Sequence, residues 1–331
     1  MVMIRLAAEQ YRKLPLLVDE ETCIGKTYVI TGGNSGLGLE TARHLVAASA
    51  ERVVLAVRNL KSGEAAKEDI EKTTARKGVI DLRHLDMSSY ESVQSFVQDI
   101  SESLDRIDGF ICNAGVMLDA WSETENMETS MFVNVVSTLF LGILMIPKLK
   151  TVRKKTEHEA QPVSVLGYTA NGEMDKSREA PIFEGLNEKK RANMNSRYAL
   201  TKLVEEFAVR ELASLCPVVK TGVIITMVAP GLCNTGLGRD AGTITKFMHE
   251  GIRAMMARTA EEGSRTYLHG LLVGHEGHGR LLCGCRVKEF WVPTWVTNQE
   301  GRTLQKGIWD ELTTMLESVQ PGCVSQLHVS G

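Results

Sequence analysis

The chain has 331 residues, 43% of them apolar, and a formal net charge of −3 from 38 basic and 41 acidic side chains. That length and apolar content can bury one substantial core. The mixed, near-neutral charge excludes the basic stripe that binds nucleic acid or an anionic membrane surface.

Residues 1–24 read as an N-terminal extension in which Arg5, Glu9, Arg12 and Lys13 interrupt any apolar run. No signal peptide or transmembrane segment is expected there, and a helix packed on the domain is favoured over a peripheral amphipathic contact. A single domain then spans 25–331, its cofactor half covering about 25–160. Residues 26–31, "KTYVIT", predict a short strand that ends in a glycine cluster, and 39–49 carry helical spacing. A second buried strand, "RVVLAV" at 52–57, precedes a charged helix over 61–76. A third strand at 79–86 leads to a helix over 89–104, and a fourth at 107–115 ends in "NAG". A long apolar helix is expected over 128–149, then a polar linker, 150–161. Strand "VSVLGY" at 163–168, a polar insertion, a helix beginning near Arg197 and a strand over 219–230 follow. Residues 245–272 read as helix, 280–292 as a late strand and 300–319 as a final helix. Strands alternating with helices predict right-handed crossovers, hence an α/β fold with a Rossmann-type, doubly wound parallel sheet.

Seven cysteines, at 23, 112, 216, 233, 283, 285 and 323, form an odd, scattered set without a CxxC pair. That indicates reduced thiols in a cytoplasmic protein rather than a disulfide framework. His275-Glu276-Gly277-His278 lacks the spacing of a zinc helix, and its glycines favour a turn, so no metal site is expected.

The stretch "TGGNSGLG", residues 31–38, falls where a strand turns into a helix. Glycines there let backbone approach a pyrophosphate, and the helix N-terminus supplies N–H donors. Gly32, Asn34, Ser35, Gly36, Leu37 and Gly38 are the candidate phosphate-loop residues, although the first glycine gap is wider than in GxGxxG. A carboxylate at the end of the second strand would select NAD. This strand ends instead in Arg58, with Lys61 just beyond, and cations suit a 2′-phosphate. The coenzyme expected is NADP(H).

Taken in order, these residues resemble the short-chain dehydrogenase/reductase family. The glycine loop is one match. Asp86, followed by Met87, stands where that family contacts adenine. Asn113, Ala114 and Gly115 resemble its NAG turn, Asn134 its helix asparagine, and Tyr198 and Lys202 its YxxxK pair. Pro230, Gly231 and Thr235 resemble its post-strand PG motif. The ordered set covers roughly residues 25–235, and the rest is similar to a fungal branch related to retinol-dehydrogenase-like members, often found with secondary-metabolite genes. The resemblance implies that Lys202 also holds the coenzyme ribose and that Asn134 maintains a proton path behind it. It further implies substrate-side insertions at about 169–197 and 236–280, and assembly as monomer or homodimer. Met248, Met255 and Met256 in the second insertion read either as core filler or as the lining of a flexible lid over an apolar small-molecule substrate.

Physical chemistry agrees with the resemblance. Tyr198 and Lys202 stand one helical turn apart, and an ammonium beside a phenol is expected to bring its pKa down from about 10. Such a phenol exchanges a proton with a carbonyl or alcohol oxygen while hydride moves on nicotinamide.

One departure stands out. The family's serine, which bonds the substrate oxygen beside the tyrosine, aligns with Tyr168. Its hydroxyl extends too far to reach the same point. Thr169 carries the right group, but successive strand residues face opposite ways, so it substitutes only if the strand has ended or bulges. Loss of one such donor costs about 10²–10³ in rate, or about 3–4 kcal/mol. Three readings follow: an NADP(H)-dependent oxidoreductase with Thr169, Tyr168 or a substrate group completing the oxygen site; a redox-neutral isomerase, cyclase or dehydratase; or a non-catalytic NADP(H)-binding module.

Overall fold

The computed structural model describes residues 9–150, 157–162, 165–170, 172, 174, 181–237 and 257–327. Strands β1 (Thr27–Thr31), β2 (Arg52–Val57), β3 (Ile80–His84), β4 (Gly109–Ile111), β5 (Glu157–Pro162), β6 (Val223–Ala229), β7 (Leu281–Cys283) and β8 (Arg286–Val287) form one sheet. Its order is β8-β7-β6-β5-β4-β1-β2-β3, parallel throughout except for the β7–β8 hairpin. The order reverses between β1 and β4, and a doubly wound sheet binds its ligand in the crevice beyond that switch. The Rossmann-type expectation holds.

Helices α1 (Gly36–Ala47) and α2 (Leu60–Thr74) cover one face with α6 (Ala260–Gly270). The other face carries α3 (Tyr90–Ser103), α4 (Thr138–Leu149), α5 (Met194–Leu215) and α7 (Gln299–Val319). Strand side chains alternate between these two cores. Val29, Phe110 and Met227 enter the second, while Ile30, Ile111 and Val228 enter the first. Strands buried on both faces read as near-continuous apolar runs, which is why the chain spells "VVLAV" and, with Thr226 as its one polar residue, "VIITMVA". Capping fixes several helix starts: Asn59 accepts from the Ser62 amide at 3.1 Å and Ser89 from the Ser92 amide at 3.2 Å. The β7–β8 turn uses Gly284 and Cys285, both at positive φ (59° and 55°), the pairing that closes a two-residue hairpin.

Two expectations require correction. The fifth strand is not 163–168 but Glu157–Pro162, inside the segment read as a linker, and Val165–Ala170 forms a 3₁₀ helix. A parallel ladder is made of backbone groups that every residue except proline carries in full, so a polar run can fill a gap between β4 and β6. The apolar helix over 128–149 is also interrupted: Phe132–Ser137 is a π-helix, and the Thr138 hydroxyl donates to the Val133 carbonyl five residues back at 2.8 Å. Such widened turns mark places where a side chain must be re-aimed. Here that side chain is Asn134.

Thr129–Leu149 is long and apolar enough to cross a membrane, but 94% of its most apolar window is buried within the fold. Of the N-terminal extension, residues 9–24 pack on the domain: the Gln10 side chain pairs with both backbone groups of Leu232, and Glu20–Cys23 forms a short helix. All seven cysteines are buried as thiols, with no disulfide among the described residues. The His275–Gly277 turn leads to His278, whose Nδ1 accepts from the Ile225 amide at 3.1 Å. Its Nε2 therefore carries the proton and donates to the Ala213 carbonyl at 2.9 Å, which makes it a structural brace. Met248, Met255 and Met256 lie outside the described residues.

Candidate active site

The crevice at the switch point is lined by the loop between β1 and α1. Gly32 and Gly36 adopt positive φ (66° and 56°), which only glycine takes readily. A Cβ on Gly38 would stand 2.6 Å from Asn113 Nδ2 and 2.8 Å from the Gly32 carbonyl. The loop is held from below: Asn113 Nδ2 donates to the Thr31 carbonyl at 2.8 Å, and the Ala114 amide donates to Thr31 Oγ1 at 2.8 Å. Thr235 closes the far side, 3.2 Å from where a Cβ on Gly36 would lie. Ser35 stands at the N-cap of α1 without capping through its side chain, and Leu37 packs into the core. A side-chain-free cradle at a helix start fits a pyrophosphate.

Both cations assigned to the 2′-phosphate, Arg58 and Lys61, are exposed just past β2. Beside them Asn34 Nδ2 donates to Ser62 Oγ at 2.9 Å, linking the glycine loop to the first turn of α2. Asp86 follows β3 and accepts from the Ser88 amide and hydroxyl at 2.9 and 2.6 Å, with Met87 buried behind it. The Pro230–Gly231 bend is gripped from outside: Arg258 donates to the Pro230 carbonyl at 3.2 Å, and a Cβ on Gly231 (φ 81°) would stand 2.7 Å from Gln10 Oε1.

Asn134 joins this loop system to α5. Its Oδ1 accepts from the Val116 amide at 2.8 Å, and its Nδ2 donates to the Val116 carbonyl at 2.8 Å and to Thr201 Oγ1 at 3.1 Å. Gly115 permits the approach, since a Cβ there would meet Asn134 Oδ1 at 3.1 Å. Thr201 in turn donates to the Tyr198 carbonyl at 2.8 Å. Lys202 Nζ lies 5.9 Å from the centre of the Tyr198 ring and forms a 2.6 Å ion pair with Glu205. The phenol is nevertheless not brought down as expected. Burial pushes the Tyr198 pKa above its ordinary value; Lys202 opposes this, and Glu205 adds to it. Burial also works against the Lys202 ammonium, but Glu205 and Tyr198 together hold its pKa above the ordinary range.

The family model for short chain dehydrogenase matches residues 26–158. The chain is 39% identical over 328 residues to the short chain dehydrogenase/reductase dmxR8 of Cryptosporiopsis sp., covering 97% of this chain and 98% of that one. This protein belongs to the short-chain dehydrogenase/reductase family. It is also 38% identical over 284 residues to the short chain dehydrogenase atnD of Emericella nidulans, covering 84% and 89% of the two chains. Among solved structures, its fold resembles that of an alcohol dehydrogenase from Thermococcus sibiricus complexed with 5-hydroxy-NADP. That likeness has a TM-score of 0.54 at 18% identity, over 81% of this chain and 98% of the other. As a short-chain dehydrogenase/reductase the protein is an oxidoreductase by family, with a crevice suited to a nicotinamide nucleotide.

Tyr168, expected from the sequence at the family's serine position, is directed toward Glu206. The Tyr168 hydroxyl donates to Glu206 Oε1 at 3.0 Å. Glu206 lies eight positions past Tyr198 on α5, about 12 Å along the axis. Arg210 binds the same Glu206 oxygen at 3.1 and 3.2 Å and reaches Glu289 at 2.8 Å, so Tyr168 ends a buried charge chain. Thr169 sits in the 3₁₀ helix after β5, so the strand has ended before it; its side chain lies outside the described residues.

Sequence reasoning overlooked four contributors. Arg197, directly before Tyr198, is fully buried and ion-paired to Glu128 at 3.1 Å, and it donates to the Leu186 carbonyl at 2.8 Å. Glu128 also caps the turn before the π-helix by accepting from the Ser130 and Met131 amides. Thr201 carries the Asn134 link. Glu205 was readable in principle, being a charge on the same helical stripe as Tyr198 and Lys202. No three His, Cys, Asp or Glu side chains gather as a metal would need among the described residues.

Replacement of Tyr168 by Phe should lower unfolding free energy by about 1–3 kcal/mol, because a buried acceptor loses a donor, while NADPH affinity stays unchanged. Chemical denaturation and a binding titration check this. Unchanged stability with complete loss of turnover would instead put the Tyr168 hydroxyl at the reacting oxygen.

Proposed function

We propose that this protein is an NADP(H)-dependent oxidoreductase that reduces a carbonyl, or oxidises an alcohol, of an apolar small molecule, with Tyr198 as acid and base. The observation that carries this reading is a single hydrogen-bond network centred on buried Asn134. The turn that seats the glycine loop through Asn113 continues through Val116, Asn134 and Thr201 to the backbone of Tyr198. A phosphate cradle and a phenol–ammonium pair are thereby fixed relative to each other, as hydride transfer beside proton transfer requires.

When bound, the nicotinamide ring supplies or accepts hydride. The protein's own residues handle the proton. Tyr198 gives its phenolic proton to a carbonyl oxygen or takes one from an alcohol. Lys202 stands within reach to favour the phenolate and to hold ribose hydroxyls. Arg58 and Lys61, exposed beyond a strand end that offers no carboxylate, suit the 2′-phosphate, and the 5-hydroxy-NADP in the Thermococcus sibiricus relative is in keeping with that choice. The fungal relatives support a role in secondary metabolism, and the buried thiols support a cytoplasmic location.

A second reading draws on one observation, the commitment of Tyr168 to Glu206, which leaves Tyr198 without that second donor. A redox-neutral isomerisation, cyclisation or dehydration needs the phenol but not a fully built oxygen site.

Purified protein should consume NADPH with a panel of apolar ketones or aldehydes, and Tyr198→Phe should reduce the rate by about 10²–10⁴. Substrate conversion without change in nicotinamide absorbance would favour the redox-neutral reading; NADPH binding without either would favour the binding module. Arg58→Asp should weaken NADPH binding by about 10–100-fold and NADH binding far less. Equal wild-type affinities for the two coenzymes would contradict the assignment.

A further inference from the structure

Tyr198, Lys202 and Glu205 follow one another at i, i+4 and i+7 and so share one stripe of α5. Glu205 is completely buried. One of its oxygens holds Lys202 Nζ at 2.6 Å, while the other, Oε1, is enclosed with no hydrogen-bond partner. A buried carboxylate with one bare oxygen is costly, and it persists here only through the ammonium beside it.

Among the described residues the surroundings provide no alternative cation. Glu206, next on the helix, is turned to Arg210 and Tyr168. From α6, buried Tyr267 feels both Glu205 and Tyr198; Cys112, just after β4, faces Lys202, and Cys233 faces Tyr198. Each of these groups is neutral or acidic, so Lys202 is the only charge described near Glu205 that stabilises its ionised form.

We propose that Glu205 is a positioning residue that holds Lys202 in a resting pair and takes up a proton when the coenzyme draws Lys202 toward the ribose. This rests on the NADP(H) reading above. The step moves one proton from solvent to the Glu205 carboxylate and no electrons. Its consequence reaches Tyr198: with Glu205 neutral, the Lys202 charge acts on the phenol without a competing carboxylate, so acidity is switched on by occupancy of the site. Burial, opposed by Lys202, already brings the Glu205 carboxyl up to about 7 in the free protein. Moving the ammonium away raises it further. Coenzyme binding is then accompanied by net proton uptake and tightens as pH falls.

The test is calorimetric titration of NADPH into wild type and Glu205→Gln in buffers of differing ionisation enthalpy. At about pH 7 the wild type should take up roughly half a proton more per site than the variant. Its NADPH affinity should also fall more steeply with rising pH, by up to about tenfold per unit. Subtracting the variant removes the protons exchanged by the 2′-phosphate. Equal proton counts and parallel pH profiles would overturn the proposal. Absence of NADPH binding in the wild type would instead overturn the coenzyme reading. If Glu205→Gln does not fold, infrared difference spectra of wild type decide: NADPH should produce a protonated-carboxyl band, and its absence would contradict the proposal.

Discussion

The hydrogen bonds of one buried carboxamide organise the functional half of this molecule. Asn134 makes three bonds, two to the backbone of Val116 and one to Thr201, and in doing so joins the turn after β4 to the helix that bears Tyr198 and Lys202. A normal α-helical turn would aim this side chain differently. The π-helix at Phe132–Ser137 is the local cost of directing it, and the surrounding apolar helix, buried almost throughout, can meet that cost. From the same turn Asn113 and Ala114 hold the glycine loop. The glycine loop and the helix turn bearing Tyr198 and Lys202 are therefore tied to one and the same turn after β4.

Around that frame, electrostatics is set by burial more than by proximity. Lys202 stands beside Tyr198, yet desolvation and the carboxylate of Glu205 outweigh it and leave the phenol above its ordinary range. Arg210 performs a similar neutralising task for Glu206, with Tyr168 as the third member. Two adjacent glutamates on α5 are thus compensated on two sides, one toward the coenzyme crevice and one toward the Glu289 turn. Tyr168 belongs to the second group, its hydroxyl donating to Glu206.

Much of this arrangement was readable because it depends on spacing. The largely apolar runs of β1, β2 and β6 identify strands covered on both faces, and the four-residue step from Tyr198 to Lys202 puts them on one helix face. Glycines at 32, 36 and 38 signal a close backbone approach, which the structure meets with positive φ at Gly32 and Gly36 and with a contact at Gly38 too tight for a Cβ. What escaped depends on backbone or on partners distant in the chain. The polar β5 pairs through its main chain, which carries no hydrophobic signature. The direction of the Tyr168 hydroxyl is decided by Glu206, thirty-eight positions later. The unpaired oxygen of Glu205 is a property of enclosure, and no residue pattern spells enclosure.

The central claim is that a nicotinamide nucleotide lies along the glycine loop with its reactive ring facing Tyr198. A crystal structure of the protein grown with saturating NADPH tests it most directly. The account predicts the pyrophosphate at the start of α1, the 2′-phosphate against Arg58, and Lys202 turned from Glu205 to the ribose. An empty crevice, or a nucleotide whose ring points away from Tyr198, would contradict it.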